Sequence, residues 1–429
     1  MRFSAGELKR HVHYLTDNIG VRLAGSKEER AAADYIAAEF RKYSDNVKIF
    51  EYPVMERAVT AETLEVEIDG NWQSFPCSLF GSAPSTDGKY VEGEIVCFDT
   101  ATGYQQPDLS HLTGKAVIHL GCHIENEEDY ARLMAAKPAF LLFVDTRYTG
   151  NIQLADGLFP AYVKKYGAVP SLNVAYMDSW KWLKEKASRA RINVCGETRQ
   201  SLTTVVVCEI AGSDPEAGVI YAGGHHDTQA GTVGADDNAV GSACVIELAR
   251  ILSQKKHKAA FRLISFGAEE QLSLGSAAYV REFRSEIEKN GIFMCNFDSM
   301  GSALGWAEFT VNANDKLRKV IREFFNRNSI YYVEHTVPCP YTDQFPFAAC
   351  KVPGVWQLRK NCETGLFYHH RIDNTPDKID FDLVSGYVKA SCELLEFLAD
   401  VRDNTVYRGI PEDIQQAIDT MFQSVYGGF

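Results

Sequence analysis

Apolar positions in this chain follow two spacings. In AVGSACVIELARILSQ, Val245, Leu248, Ala249 and Leu252 recur at the three- and four-residue steps of one helix face. The same spacing predicts helices over SAAYVREFRSEIEKN, NDKLRKVIREFFNRN and FDLVSGYVKASCELLEFLADV. It also predicts one near the start, where Ala32, Tyr35, Ile36 and Phe40 follow Ser26 and Glu29, a candidate capping box. Between the helices, short continuous apolar runs read as strands: TTVVVCEIAG, GVIYAGG, FRLISFG, GIFMCNFD and GVWQL, with VKIFEYPV (47–54) earlier. After Leu202 the order is strand, loop, helix, which predicts an α/β fold with a mostly parallel central sheet and helices on both faces. The tail from about 404 reads as an amphipathic helix with Ile414, Ile418, Met421 and Phe422 on one side. It is expected to pack on its own domain, a subunit contact being the other option.

From about 60 to 200 the texture changes. Short strand-like runs (TLEVEI, GEIVCF, GKAVIHL, AFLLFVD, SLNVAYM, RINVC) alternate with Gly, Pro and Asp turns and helical stretches near 126–136 and 178–189. This predicts an inserted, β-rich module over 61–199. Residues 1–60 and 200–429 would then form one discontinuous main domain.

The apolar runs of the main domain end in polar residues that could bind metal. GVIYAGGHHDT ends in His225, His226 and Asp227; FRLISFGAEE in Glu269 and Glu270; GIFMCNFDS in Asp298. GADDNAVG places Asp236 and Asp237 ahead of a helix, and YHHRIDNTPDKID brings His369 and His370. Buried carboxylates are costly without a partner, and ligands of open α/β sheets bind beyond the carboxyl ends of strands. Imidazole nitrogen with carboxylate oxygen suits zinc, and cobalt or manganese would also fit. Strand alternation puts His225 and Asp227 on one face and His226 on the other. His225 is therefore expected as ligand, Asp227 as its carboxylate support, and His226 as a polar neighbour. Asp237 is favoured over Asp236 as a carboxylate bridging two metals. Of the Glu pair, one should coordinate metal and the other move a proton; spacing does not say which.

Composition narrows the field. The net charge is −13 and no basic run is present, which sets nucleic-acid binding aside. No stretch is long and apolar enough to span a bilayer. The 11 cysteines form no C-x-x-C pair, which fits reduced thiols. With no apolar signal core after Met1, a cytoplasmic location is expected; removal of a signal peptide would leave a similar sequence.

The motifs GGHHDT, GADDNAVG, FGAEEQLSLGS, NFDSMG, YTDQFPF and YHHRIDNTPDKID, in this order, resemble the zinc-dependent exopeptidase family that includes aminopeptidase Y, the bacterial secreted leucyl aminopeptidases and glutamate carboxypeptidase II. The resemblance covers roughly 1–60, through NIGVRLAGS, and 200–400, and the insert more loosely resembles a protease-associated domain. It implies two divalent metals, with His225 and Asp298 as ligands of one, Glu270 and His369 of the other, and Asp237 bridging. Glu269 becomes the general base, and Tyr368 matches a tyrosine that helps stabilise an oxyanion. His369 is preferred over His370 because the family's histidine lies four residues before an Asp, here Asp373. Asp343 and Phe347 match a loop that lines the site, and a structural role is expected for both. The implied activity is removal of N-terminal residues from peptides. Alternatives within the family are a carboxypeptidase, with Arg359 or Arg371 holding the carboxylate, another amide hydrolase, and a cyclase. A non-catalytic receptor or binding scaffold is the alternative of another class. Peptides are the expected partners, and a homo-oligomer is compatible with the sequence.

Overall fold

The computed structural model describes residues 3–154, 156–363 and 366–429. Its centre is a parallel array in which Val219–His225 lies between Ala260–Phe266 and Gly291–Phe297, and Gly291–Phe297 also pairs with Gly354–Lys360. These strands are buried along their length, which explains why they read as continuous apolar runs rather than alternating ones. Trp306–Asn312 joins antiparallel to Gly354–Lys360, and Arg189–Ile210 antiparallel to Ala260–Phe266.

Helices cover both faces. Val240–Leu252 packs with Ala5–His13, Lys27–Phe40 and Phe381–Asp400 in one large apolar cluster. On the other face, Tyr279, Val280, Phe347 and Val352 pack against Tyr221, Ile264 and Phe266. The run SAAYVREFRSEIEKN forms two helices, Leu274–Glu282 and Arg284–Asn290, because Phe283 leaves helical geometry between them. The C-terminal helix Glu412–Tyr426 lays Ile418 and Phe422 on Phe345, Ala348 and Ala349 of the same chain.

Residues 60 and 200 fall inside two long strands, Val47–Ile68 and Arg189–Ile210, which pair antiparallel throughout. A register shift at Val59/Ala61 marks the point where this ribbon leaves the main body; such a bulge bends and twists a strand pair. Beyond it, Val91–Phe98, Ala116–Leu120, Phe140–Val144 and Ser171–Val174 form a parallel sheet. Helices Glu127–Ala135 and Pro160–Tyr166 connect the last three of these strands, and Tyr176–Lys184 leads on to Arg189–Ile210. The segment is therefore α/β rather than β-rich: Glu127–Ala135 and Tyr176–Lys184 fall where helical stretches are expected from the sequence, Pro160–Tyr166 is additional, and parallel strands require such crossovers. The 14 strands of the described residues join one continuous sheet. No helix of the described residues is long and apolar enough to cross a membrane.

Candidate metal centre

Parallel register brings the expected chemistry to one edge. Phe266 pairs with His225, and Asn296 with Gly223, so the strands carrying His225, Glu269–Glu270 and Asp298 end together. The GADDNAVG loop comes down onto the same edge because Gly241 has no side chain: a Cβ there would sit 2.2 Å from the carbonyl oxygen of Phe297.

His225 Nε2 lies 3.2 Å from Asp237 Oδ1, 3.5 Å from Asp298 Oδ1 and 3.8 Å from Glu269 Oε2. Its Nδ1 faces Asp227, 3.4 Å from Oδ1. The Asp227 carboxylate accepts the backbone N–H groups of Glu269 and Glu270 at 3.1 and 3.2 Å. One buried carboxylate thus orients the histidine and ties down the turn that carries both glutamates. His226 points the other way, as alternation predicts: Ser265 Oγ is 2.9 Å from its Nδ1, and Glu29 lies 3.4 Å from its Nε2. Asp236 also turns from the centre and accepts the Gly301 N–H at 2.6 Å.

The histidine pair departs from expectation. His370 Nε2 lies 2.8 Å from Glu270 Oε2 and 3.5 Å from Asp237 Oδ2. His369 Nε2 is 3.4 Å from Asp237 Oδ2, and its ring stacks on that of His370 at 3.5 Å. His370, not the expected His369, is therefore the residue in contact with both Glu270 and Asp237. Sequence spacing misleads here because His370 has a left-handed backbone (φ 56°), which breaks the regular divergence of neighbouring side chains. Tyr368 does not line the site either. Its ring meets Phe367 edge-on at 5.2 Å, with Lys378 Nζ 5.6 Å from its centre. Phe347 is a core residue against Tyr221, and Asp343 is buried close to Glu269.

Burial raises the Glu269 carboxyl well above the usual carboxylate range; His225 opposes the shift, and Asp343, Asp298 and Glu270 add to it. Burial likewise pushes Glu270 to about 7, against the charge of His370. Asp237 is buried too, but His225, His369 and His370 together hold it below the ordinary value. His225 Nε2, Asp237 Oδ2 and Glu270 Oε1 are buried without a hydrogen-bond partner. In each of the sets His225–Asp237–Glu270 and Asp237–His369–His370, the donor atoms lie within 4.8 Å of one another. Buried polar atoms are nearly always satisfied, and mixed imidazole and carboxylate donors left open this way fit a divalent cation of the zinc type. The centre opens into a cavity of about 1490 Å³ whose lining includes residues of the inserted segment.

Residues 205–394 match the family profile described as Peptidase family M28. This part of the chain is similar to peptidase family M28. The aminopeptidase YwaD of Bacillus subtilis is 23% identical over 317 residues, which covers 73% of this chain and 66% of that protein. A peptidase M28 precursor from Shewanella amazonensis has a structure that superposes with a TM-score of 0.79 at 20% identity, covering 94% of this chain and 95% of that one. A zinc aminopeptidase from Bacillus subtilis, BSAP, superposes with a TM-score of 0.77 at 17% identity, covering 96% and 99%. At these identities the structural likeness is one of fold. Within the matched residues, Ser273 carries no signal in the sequence: its Oγ donates to Glu269 Oε1 at 3.1 Å. Arg22 and Asp156, both outside them, were equally silent, since no local pattern announces a residue whose partners are distant in the chain.

Proposed function

We propose that this protein is a metal-dependent aminopeptidase whose centre holds two divalent cations, zinc in the first instance. The observation that carries the reading is the convergence of buried, unpartnered nitrogen and oxygen donors at the strand ends, beside a raised glutamate that is itself not needed as a ligand. His225 and Asp298 would hold one cation, Glu270 and His370 the other, and Asp237, facing both histidines, would bridge them. Bound cations would supply Lewis acidity, lowering the pKa of water and polarising the scissile carbonyl.

The protein's own groups do the rest. Ser273 fixes Glu269 Oε1, which leaves Oε2 facing the centre. Oε2 takes the proton of the attacking water and returns it to the leaving amine. The end of the substrate is chosen by charge. Arg359 donates to the Ser302 carbonyl and Arg371 lies over Phe367, so neither candidate for a substrate carboxylate lines the cavity. The acidic groups around the metals favour a substrate ammonium instead.

The test is a mixed peptide library incubated with and without chelator and read by mass spectrometry. Loss of N-terminal residues that a chelator abolishes is the expected result; C-terminal trimming would move the assignment to a carboxypeptidase. Glu269→Gln should retain both metals and lose at least about 100-fold in kcat. Near-normal turnover in that variant would remove Glu269 from its role.

A further inference from the structure

The inserted segment reaches the metal centre through one carboxylate. Asp156 is 7% exposed and lies on the loop before Pro160–Tyr166. Its Oδ1 accepts the N–H of Gly157, which leaves Oδ2 to face two histidines. That oxygen lies 3.6 Å from His370 Nδ1, itself buried and unpartnered, and 3.1 Å from His123 Nε2. The Asp156 backbone is clamped: its carbonyl accepts the Gly81 N–H at 2.6 Å, and Leu158 N–H donates to Gly81 O at 2.8 Å. Gly81 and Gly157 pack so closely that a Cβ on either would meet the Cα of the other at 3.0–3.1 Å.

The segment grips the histidine loop at other points as well. Tyr148 accepts the Leu366 N–H at 2.7 Å and meets Phe367 edge-on at 6.0 Å. Arg371 inserts among Asp145, Tyr148, Ile152 and Leu154. The loop that carries His370 is thus held from both sides, by the insert at Leu366, Phe367 and Arg371 and by the main domain through Asn361 and Asn374.

Resting on the two-metal reading above, we propose that Asp156 is a positioning residue for the metal centre: the inserted segment supplies the carboxylate that receives the Nδ1–H of His370 and presents its Nε2 to the cation shared with Glu270. His123 backs Asp156 from the other side. Metal-binding histidines generally need such a partner, and its loss weakens the metal by about 10- to 100-fold. Asp156 Oδ2, buried between His123 Nε2 and a His370 Nδ1 that has no nearer acceptor, meets that need here.

Zinc titration of the full chain by calorimetry, comparing the unsubstituted protein with Asp156→Asn, tests this. The expected result is one zinc bound about 10- to 100-fold more weakly, the other unchanged, and the same melting temperature for the zinc-free proteins. In a His370→Ala background, Asp156→Asn should then have no further effect on zinc affinity. Unchanged affinities overturn the proposal, and so does parallel weakening of both sites with a lower zinc-free melting temperature, which would mean packing alone. An unsubstituted protein that binds no zinc sinks the metal reading, and the role of Asp156 with it.

Discussion

Arg22 shows how a single residue organises the centre without touching a substrate. It is fully buried, and its guanidinium donates to the carbonyl oxygens of Leu15, Gly20, His226, Val233 and Gly234. Burial lowers its pKa to about 10, with Asp227, Asp237 and Glu270 opposing, so it keeps its charge at neutral pH. His226 and Gly234 flank the two ligand segments, so this planar fork sets the distance between His225 and Asp237. Arg22→Met removes the guanidinium donor from the carbonyls of Gly20, His226 and Val233, while Leu15 and Gly234 keep backbone donors, and urea unfolding should show a loss of about 3 kcal/mol or more. An unchanged midpoint would mean that the clamp is dispensable. Glu29 acts similarly. Ser26 Oγ caps Glu29 N–H as the sequence predicts. The Glu29 carboxylate does not close a box with Ser26; it accepts from Gly25 N–H and from Thr203 and Thr204.

At the scale of elements, the C-terminal helix Glu412–Tyr426 reaches towards the cavity. Its apolar side was legible from Ile414, Ile418, Met421 and Phe422, but not the surface it meets. That surface is the short helix Gln344–Ala349, which begins right after the buried Asp343 beside Glu269. Tyr426 donates to the Pro340 carbonyl, and Cys339, Pro340 and Tyr341 line the cavity. Phe422 is 3% exposed in this contact. Phe422→Ala should cost about 3 kcal/mol. Because its partners form a separate small cluster, the loss should appear first as faster amide exchange across 412–426 rather than as global unfolding. Exchange that stays slow there while the whole chain loses stability would show that the helix is part of the main cooperative unit.

The whole molecule joins two sheet halves through one ribbon, and each half carries a histidine buried in neutral form. Burial lowers His119 in the insert to about 4, where it packs on Phe143 and contacts the Tyr104 hydroxyl. Burial, with Arg10 beside it, lowers His11 in the main body to about 4 as well. An unfolded histidine takes its proton near pH 6.5. Each therefore contributes stability that is full above about pH 6.5 and is lost as pH falls towards 4, up to about 3 kcal/mol per residue. His119→Gln should make acid unfolding, followed by circular dichroism, shallower over that window; an identical profile would place the acid-labile groups elsewhere. At this scale the sequence determined the elements and the chemistry at their ends. Period and length separate buried strands from amphipathic helices, and a strand buried on both faces can only end in clustered acids and histidines where something neutralises them. Tertiary structure alone decided that His370 and not His369 meets Glu270, that Tyr368 faces away, and that Asp156 and Arg22 brace the centre. Those outcomes depend on a left-handed residue, a bulge that redirects a ribbon, and contacts between segments far apart in the chain, none of which leaves a local period to read.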